Sequence, residues 1–109
     1  MQITYCKTAL GREPVRDYLI TLTTQDQADI AFDMNLVAQF GPQCDQLVTR
    51  HLQGKLWEIK TGTRRQQRIF YCLITGPEIV LLHACKKQKT NSQPRDVELA
   101  FKRMKEVLS

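Results

Sequence analysis

Long apolar runs are missing from this chain, and so is any leader-like beginning. No stretch approaches the roughly 20 apolar residues that cross a bilayer. The opening MQITYCKTALGREP lacks the charged-then-apolar pattern of a secretory signal, so a cytoplasmic protein without membrane association is expected. Histidine is scarce, at His51 and His83 alone, and the four cysteines (Cys6, Cys44, Cys72, Cys85) form no Cys-x-x-Cys pair. That excludes a recognisable metal-ligand spacing and argues against a disulfide framework. In a reducing compartment such thiols read as small buried apolar side chains. Neither paired histidines nor an acid–histidine couple can be picked out, and no metal or other cofactor is expected.

What is present is an ordinary globular composition, 42% hydrophobic and 25% charged over 109 residues, enough for one domain with one core. Positive charge is unevenly spread. Residues 1–49 carry Lys7, Arg12 and Arg16 against Glu13, Asp17, Asp26, Asp29, Asp33 and Asp45, a balance of −3. The remaining 13 basic and 5 acidic side chains give residues 50–109 a balance of +8. This asymmetry fits a basic face that meets a polyanion such as nucleic acid, or a solvated surface with no partner.

The hydrophobic pattern predicts a short strand over 2–6, then an amphipathic helix in PVRDYLITL. Val15, Tyr18, Leu19 and Leu22 fall there at i, i+3, i+4 and i+7, and Pro14 suits the first turn. Thr24 can cap a second helix, QDQADIAFDMNLVAQF, which Gly41-Pro42 ends. PQCDQLVTRHLQG reads as a loop or a short helical turn. Strands are predicted at 55–61, 67–74 and 78–85, the last two joined by the tight turn TGP. Their near-continuous apolarity implies cover on at least one face. A final helix carries Val97, Ala100, Phe101, Met104 and Leu108 as one stripe, with Asn91 or Ser92 as its cap. The order is β-α-α-β-β-β-α, an α+β domain with helices on a curved antiparallel sheet.

On that frame the cations gather. Lys60 closes one strand, Arg64 and Arg65 occupy the next turn, and Arg68 opens the following strand. Lys86, Lys87 and Lys89 leave the last strand. Antiparallel pairing brings all of them to one end of the sheet, with Glu58 the only acid near them in sequence. Mutual repulsion makes such a cluster a better match to phosphate than to bare surface. Cleaving RNA through its own 2′-hydroxyl requires a proton acceptor, charge stabilisation at phosphorus and a proton donor. Arginine suits the second task, and lysine the others where neighbouring cations depress its pKa. Other candidates have plainer readings. His83 fits a half-buried structural histidine, Tyr71 faces away from Arg68 as core, and Trp57 is a core anchor or a base-stacking platform. Glu58 serves as a pairing partner for arginine or as a base.

The residues Leu56-Trp57-Glu58-Ile59-Lys60, Arg68-Ile69-Phe70-Tyr71, Leu81-Leu82-His83, Lys86-Lys87 and Lys89-Thr90, with GREPVRDYL at 11–19, follow one another along nearly the whole chain. Together they resemble the RelE/ParE toxin superfamily, specifically its phage-derived HigB-like branch. The resemblance implies a RelE-like microbial ribonuclease-type fold. It also implies the toxin of a type II toxin–antitoxin pair, a metal-independent endoribonuclease (mRNA interferase) that cuts mRNA at the ribosomal decoding site. It places Arg68 at the phosphate and the transition state, Lys87 (or Lys86) as the basic residue after the last strand, and Lys60 as the one closing an earlier strand. Arg64, Arg65, Lys89 and Trp57 become RNA contacts, with Tyr71, Glu58 and His83 as possible participants. The implied partner is an antitoxin of helix-turn-helix type, besides mRNA and the ribosome. The chain departs from the branch in carrying lysine where several relatives carry arginine, at Lys87, and in separating Lys89-Thr90 from Pro94. Two other functions share the fold: a ParE-like inhibitor of DNA gyrase that cuts nothing, and a non-catalytic nucleic-acid-binding module.

Overall fold

A computed structural model describes residues 1–75, 77–87 and 93–109. The elements are β1 (Gln2–Tyr5), α1 (Pro14–Leu19), α2 (Thr24–Phe40), β2 (Val48–Gln53), β3 (Leu56–Thr61), β4 (Gln67–Ile74), β5 (Glu78–Lys86) and α3 (Pro94–Leu108), with a 3₁₀ turn at Thr63–Arg65. The α+β class and the helix-on-sheet arrangement are those expected from the sequence. The five strands form one open sheet in the order β1-β5-β4-β3-β2. β2 to β5 pair antiparallel, whereas β1 lies parallel to β5, with Gln2 opposite Glu78 and Tyr5 opposite Leu81.

Two corrections concern elements. Residues 48–53, expected as loop or helical turn, are an edge strand, and β2 hides because its side chains are mostly exposed and give no apolar signal. The first helix stops at Leu19, and Thr23 rather than Thr24 caps α2, its hydroxyl accepting from the Asp26 amide at 3.1 Å. Leu22 still packs on the core from the connecting turn. α2 ends at Gly41, whose φ of 87° lies where a side chain is disfavoured. The proposed α3 caps Asn91 and Ser92, and Gly76 of the TGP turn, lie outside the described residues. Of the α3 stripe, Ala100 and Met104 are buried and Val97 and Phe101 partly so, while Leu108 is 45% exposed and Val107 packs instead.

The strand apolarity is explained by cover on both faces. On one, Val15 of α1 and Ile30, Met34 and Val37 of α2 pack against Ile59, Ile69, Tyr71, Ile79 and Leu81. On the other, Ala100 and Met104 of α3 pack against Leu56, Phe70, Cys72, Val80 and Leu82. A bulge in β5 shifts the pairing from Phe70–His83 to Tyr71–Leu81. Leu81 therefore packs on the α2 side while His83 stacks on Phe70, so these two lie on different faces although two residues apart. Among the described residues no helix is long and apolar enough to cross a membrane.

Candidate functional site

The site is the end of the sheet where β3 stops, β4 starts and β5 stops. Lys60 pairs with Arg68 across the β3–β4 ladder, Arg68 with Cys85, and Gln67 with Lys86, while the Lys87 amide donates to the Gln66 carbonyl at 2.6 Å. The antiparallel hairpins thus bring Lys60, Arg64, Arg65, Arg68, Lys86 and Lys87 to one end, as their sequence positions indicated. Lys89 lies outside the described residues.

Period-two alternation turns Glu58, Lys60 and Arg68 towards the α3 side with Leu56 and Phe70. There Arg68, 2% exposed, donates from Nη1 to Glu58 Oε2 at 3.0 Å, and Glu58 itself is 1% exposed. Arg50 of β2 reaches the other carboxylate oxygen at 3.2 Å. One carboxylate between two guanidiniums leaves this trio with a net positive charge, and the carboxylate holds Arg68 below the surface. Arg50 was not anticipated, because its strand was not.

One step further along the same face, His83 Nε2–H donates to Asp96 in the first turn of α3 at 2.8 Å. An acid–histidine couple therefore does exist, contrary to expectation. The sequence does not signal it, because 12 residues stand between His83 and Asp96. Cys85 completes a trio with these two, their ligand atoms lying within 4.8 Å of one another. Thiolate, imidazole and carboxylate could hold a borderline-soft cation such as zinc. The surroundings oppose it: burial pushes the Cys85 thiol up to about 11, Asp96 adds to that, and the opposing Arg68 charge would repel a cation. At neutral pH Cys85 is a thiol and a poor nucleophile.

The opposite side of the same end belongs to α1 and α2. Gln67 accepts from the Tyr18 hydroxyl at 2.5 Å, Thr61 donates to Asp33 at 2.6 Å, and the Thr63 amide donates to Asp26 at 2.8 Å. The aspartates contributed by helices correct the sequence picture of cations faced only by Glu58. Asp26, Asp33 and Asp96 compensate part of the charge, and cations remain in excess.

Two candidates stand away from this end. Tyr71 is 0% exposed in the α2-side core, and its hydroxyl has no hydrogen-bond partner among the described residues. Burial raises its pKa far above the usual value near 10, so the phenol stays protonated. Trp57 pairs with Tyr71 in the β-ladder and lies beside the His51 ring at 5.0 Å, half-buried against the same core. A cleft of about 540 Å³ between the helical hairpin and β1 is lined mainly by apolar side chains such as Ile3, Leu19, Ile30 and Met34. It lies away from the cations.

A family comparison decides what kind of molecule carries this end. Residues 17–105 match the model of the phage-derived protein Gp49-like family (DUF891). The chain belongs to the Gp49-like family. The match spans β3, β4, β5 and most of α3, and so includes the whole cationic end. Gp49-like proteins are a toxin-like family, often found in toxin–antitoxin systems. A search of curated proteins gave no match.

Proposed function

We propose that this Gp49-like protein is the toxin of a type II toxin–antitoxin pair and an endoribonuclease that cuts mRNA on the ribosome without a metal ion, halting translation. The observation that carries the reading is the convergence of Lys60, Arg64, Arg65, Lys86 and Lys87 on one end of the sheet. A phosphodiester laid across that end meets several exposed or half-exposed cations, with the Arg50–Glu58–Arg68 trio beneath it. Lys60, Lys86 and Lys87 make the direct phosphate contacts. Arg68 supplies charge from below and reaches the transition state only if Glu58 yields it. His83, whose ring is oriented by Asp96, serves as the proton-transfer group. The cognate antitoxin, a helix-turn-helix protein, inhibits by covering this basic surface with an acidic segment. The protein works in the cytoplasm.

A second reading keeps the toxin but removes the chemistry: a gyrase inhibitor or a nucleic-acid binder of the same fold. It is favoured by one observation, the engagement of Arg68 by Glu58. A translation reaction with a defined mRNA, mapped for new 5′ ends, separates the two. Cleavage within translated codons, absent from naked mRNA and abolished in a Lys86→Ala/Lys87→Ala variant, is the expected result. Intact mRNA with undiminished translation overturns the nuclease reading and directs the search to gyrase.

A further inference from the structure

Between the α1–α2 connection and the 3₁₀ turn lies a cleft of about 510 Å³. It is on the α2 side of the cationic end, across the sheet from the Arg50–Glu58–Arg68 trio. Arg64 and Lys86 supply its positive charge, Tyr18 and Leu22 an apolar wall, and Thr21, Thr23 and Gln66 its polar groups. Its volume falls within the range of small-molecule and cofactor sites.

The floor of this cleft is a backbone that would not hold its shape unaided. Arg64 and Arg65 both have positive φ, 55° and 54°, which non-glycine residues seldom adopt and still more seldom in succession. Such a conformation persists where the surroundings over-determine it. Here Arg65 N–H donates to the Gly62 carbonyl at 2.9 Å and Gln66 N–H to the Thr63 carbonyl at 3.2 Å. Asp26, from the first turn of α2, accepts from the Thr63 amide. Hydrogen bonds from Thr63 and Thr23 hold the Asp26 carboxyl below its usual value, with the Lys86 charge assisting. Gly62 lies so close that a Cβ there would come within 3.3 Å of Asp26 Oδ1 and 2.9 Å of Gln67 Cγ. Strain maintained by a dedicated side chain and aimed into a cleft is a functional signature.

We propose that this cleft is a nucleotide subsite. It binds one nucleotide of the RNA strand beside the scissile position, its phosphate on Arg64 and Lys86 and its base against Tyr18 and Leu22. Asp26 is a positioning residue that fixes the arginine turn. The assignment of RNA as the ligand rests on the nuclease reading above. Strand polarity and base preference would then be set on the α2 side of the sheet, and proton transfer on the α3 side.

The test is a titration of the ¹⁵N-labelled full chain with adenosine 3′,5′-bisphosphate, followed by amide shifts, with RNA cleavage kinetics on the same variants. Saturable shifts at Thr23, Thr63 and Gln67 are expected. Asp26→Ala should weaken binding about tenfold and raise KM with kcat retained. Asp26→Asn keeps an acceptor for the Thr63 amide and loses a negative charge, so it should bind at least as tightly as the parent. A merely structural aspartate would not give that opposite response. Shifts confined to β3 and α3, or equal affinity in Asp26→Ala, overturn the subsite. Cleavage without shifts at these amides removes the subsite and leaves the nuclease. Shifts without cleavage keep the subsite and remove the nuclease.

Discussion

Replacing Glu58 by alanine should destabilise the protein severely, and the size of the effect follows from where its partners sit. Glu58 and Arg68 side chains are 2% and 3% exposed, with 3.0 Å between Oε2 and Nη1. At an effective dielectric of about 20, unit charges this close attract by roughly 5–6 kcal/mol. Breaking a buried ion pair by removing one partner generally costs about 3–5 kcal/mol. The bond to Arg50 adds little, because Arg50 is half exposed and an exposed pair contributes about 0–1 kcal/mol. A loss of about 4 kcal/mol is a large part of the stability of a domain this size and corresponds to a Tm lower by roughly 15 °C. Urea unfolding followed by the fluorescence of Trp57, the single tryptophan, gives the measurement. The double variant Glu58→Leu/Arg68→Met should recover most of the loss, since apolar groups of similar volume replace a buried pair with little penalty. A loss below about 1 kcal/mol in Glu58→Ala, or no recovery in the double variant, would refute this account. The same reasoning governs Arg68→Ala: loss of toxicity there is evidence about chemistry only once its folded fraction is known, and a cell-based screen alone would mislead.

Other substitutions probe the rest of the frame. Tyr71→Phe removes a buried hydroxyl that has no partner among the described residues and should stabilise the fold by about 1 kcal/mol; a destabilised variant would reveal a partner for that oxygen. Gly62→Ala introduces a side chain at φ 79°, ψ −176°, against Gln67 Cγ, and should cost about 1–3 kcal/mol, read by the same urea titration. For pH, the Asp26 carboxyl is depressed below its ordinary 3.8, so its support of the arginine turn is present above that value and lost as pH falls through the folded pKa. The Thr63 amide shift should therefore hold from neutrality to below pH 4, and a transition near pH 6 would contradict the assignment. Cys85, with its pKa raised to about 11 from 9.0, should react with iodoacetamide far more slowly than a free thiol at pH 8.

Much of this molecule could be read from its sequence, and the parts that could not share a cause. β4 and β5 were legible because each is a continuous apolar run with a short turn between them. Their hairpin geometry alone brought Arg68 opposite Cys85 and Gln67 opposite Lys86, at one end of the sheet. β2 was not, since an edge strand exposed on most of its length carries no period-two signal. The cations of the site were visible because they sit on consecutive strands. The acids Asp26, Asp33 and Asp96 at the same end were not, because helices deliver them from up to 37 residues away, as with Asp26 and Thr63. The bulge beside His83 was equally hidden, as no residue in Leu81-Leu82-His83 demands it.

The parallel pairing of β1 with β5 sets an order of events during synthesis. Among the described residues β1 has one neighbour in the sheet, β5 at Glu78–Lys86, far along the chain from it. Until that segment emerges, β1 has nothing to pair with, and closing so long a loop makes this contact late and slow. β3, β4 and β5 can meet through local turns, but Lys86 and Lys87 are among the last residues to join them. The cationic end therefore cannot assemble until β5 has been made.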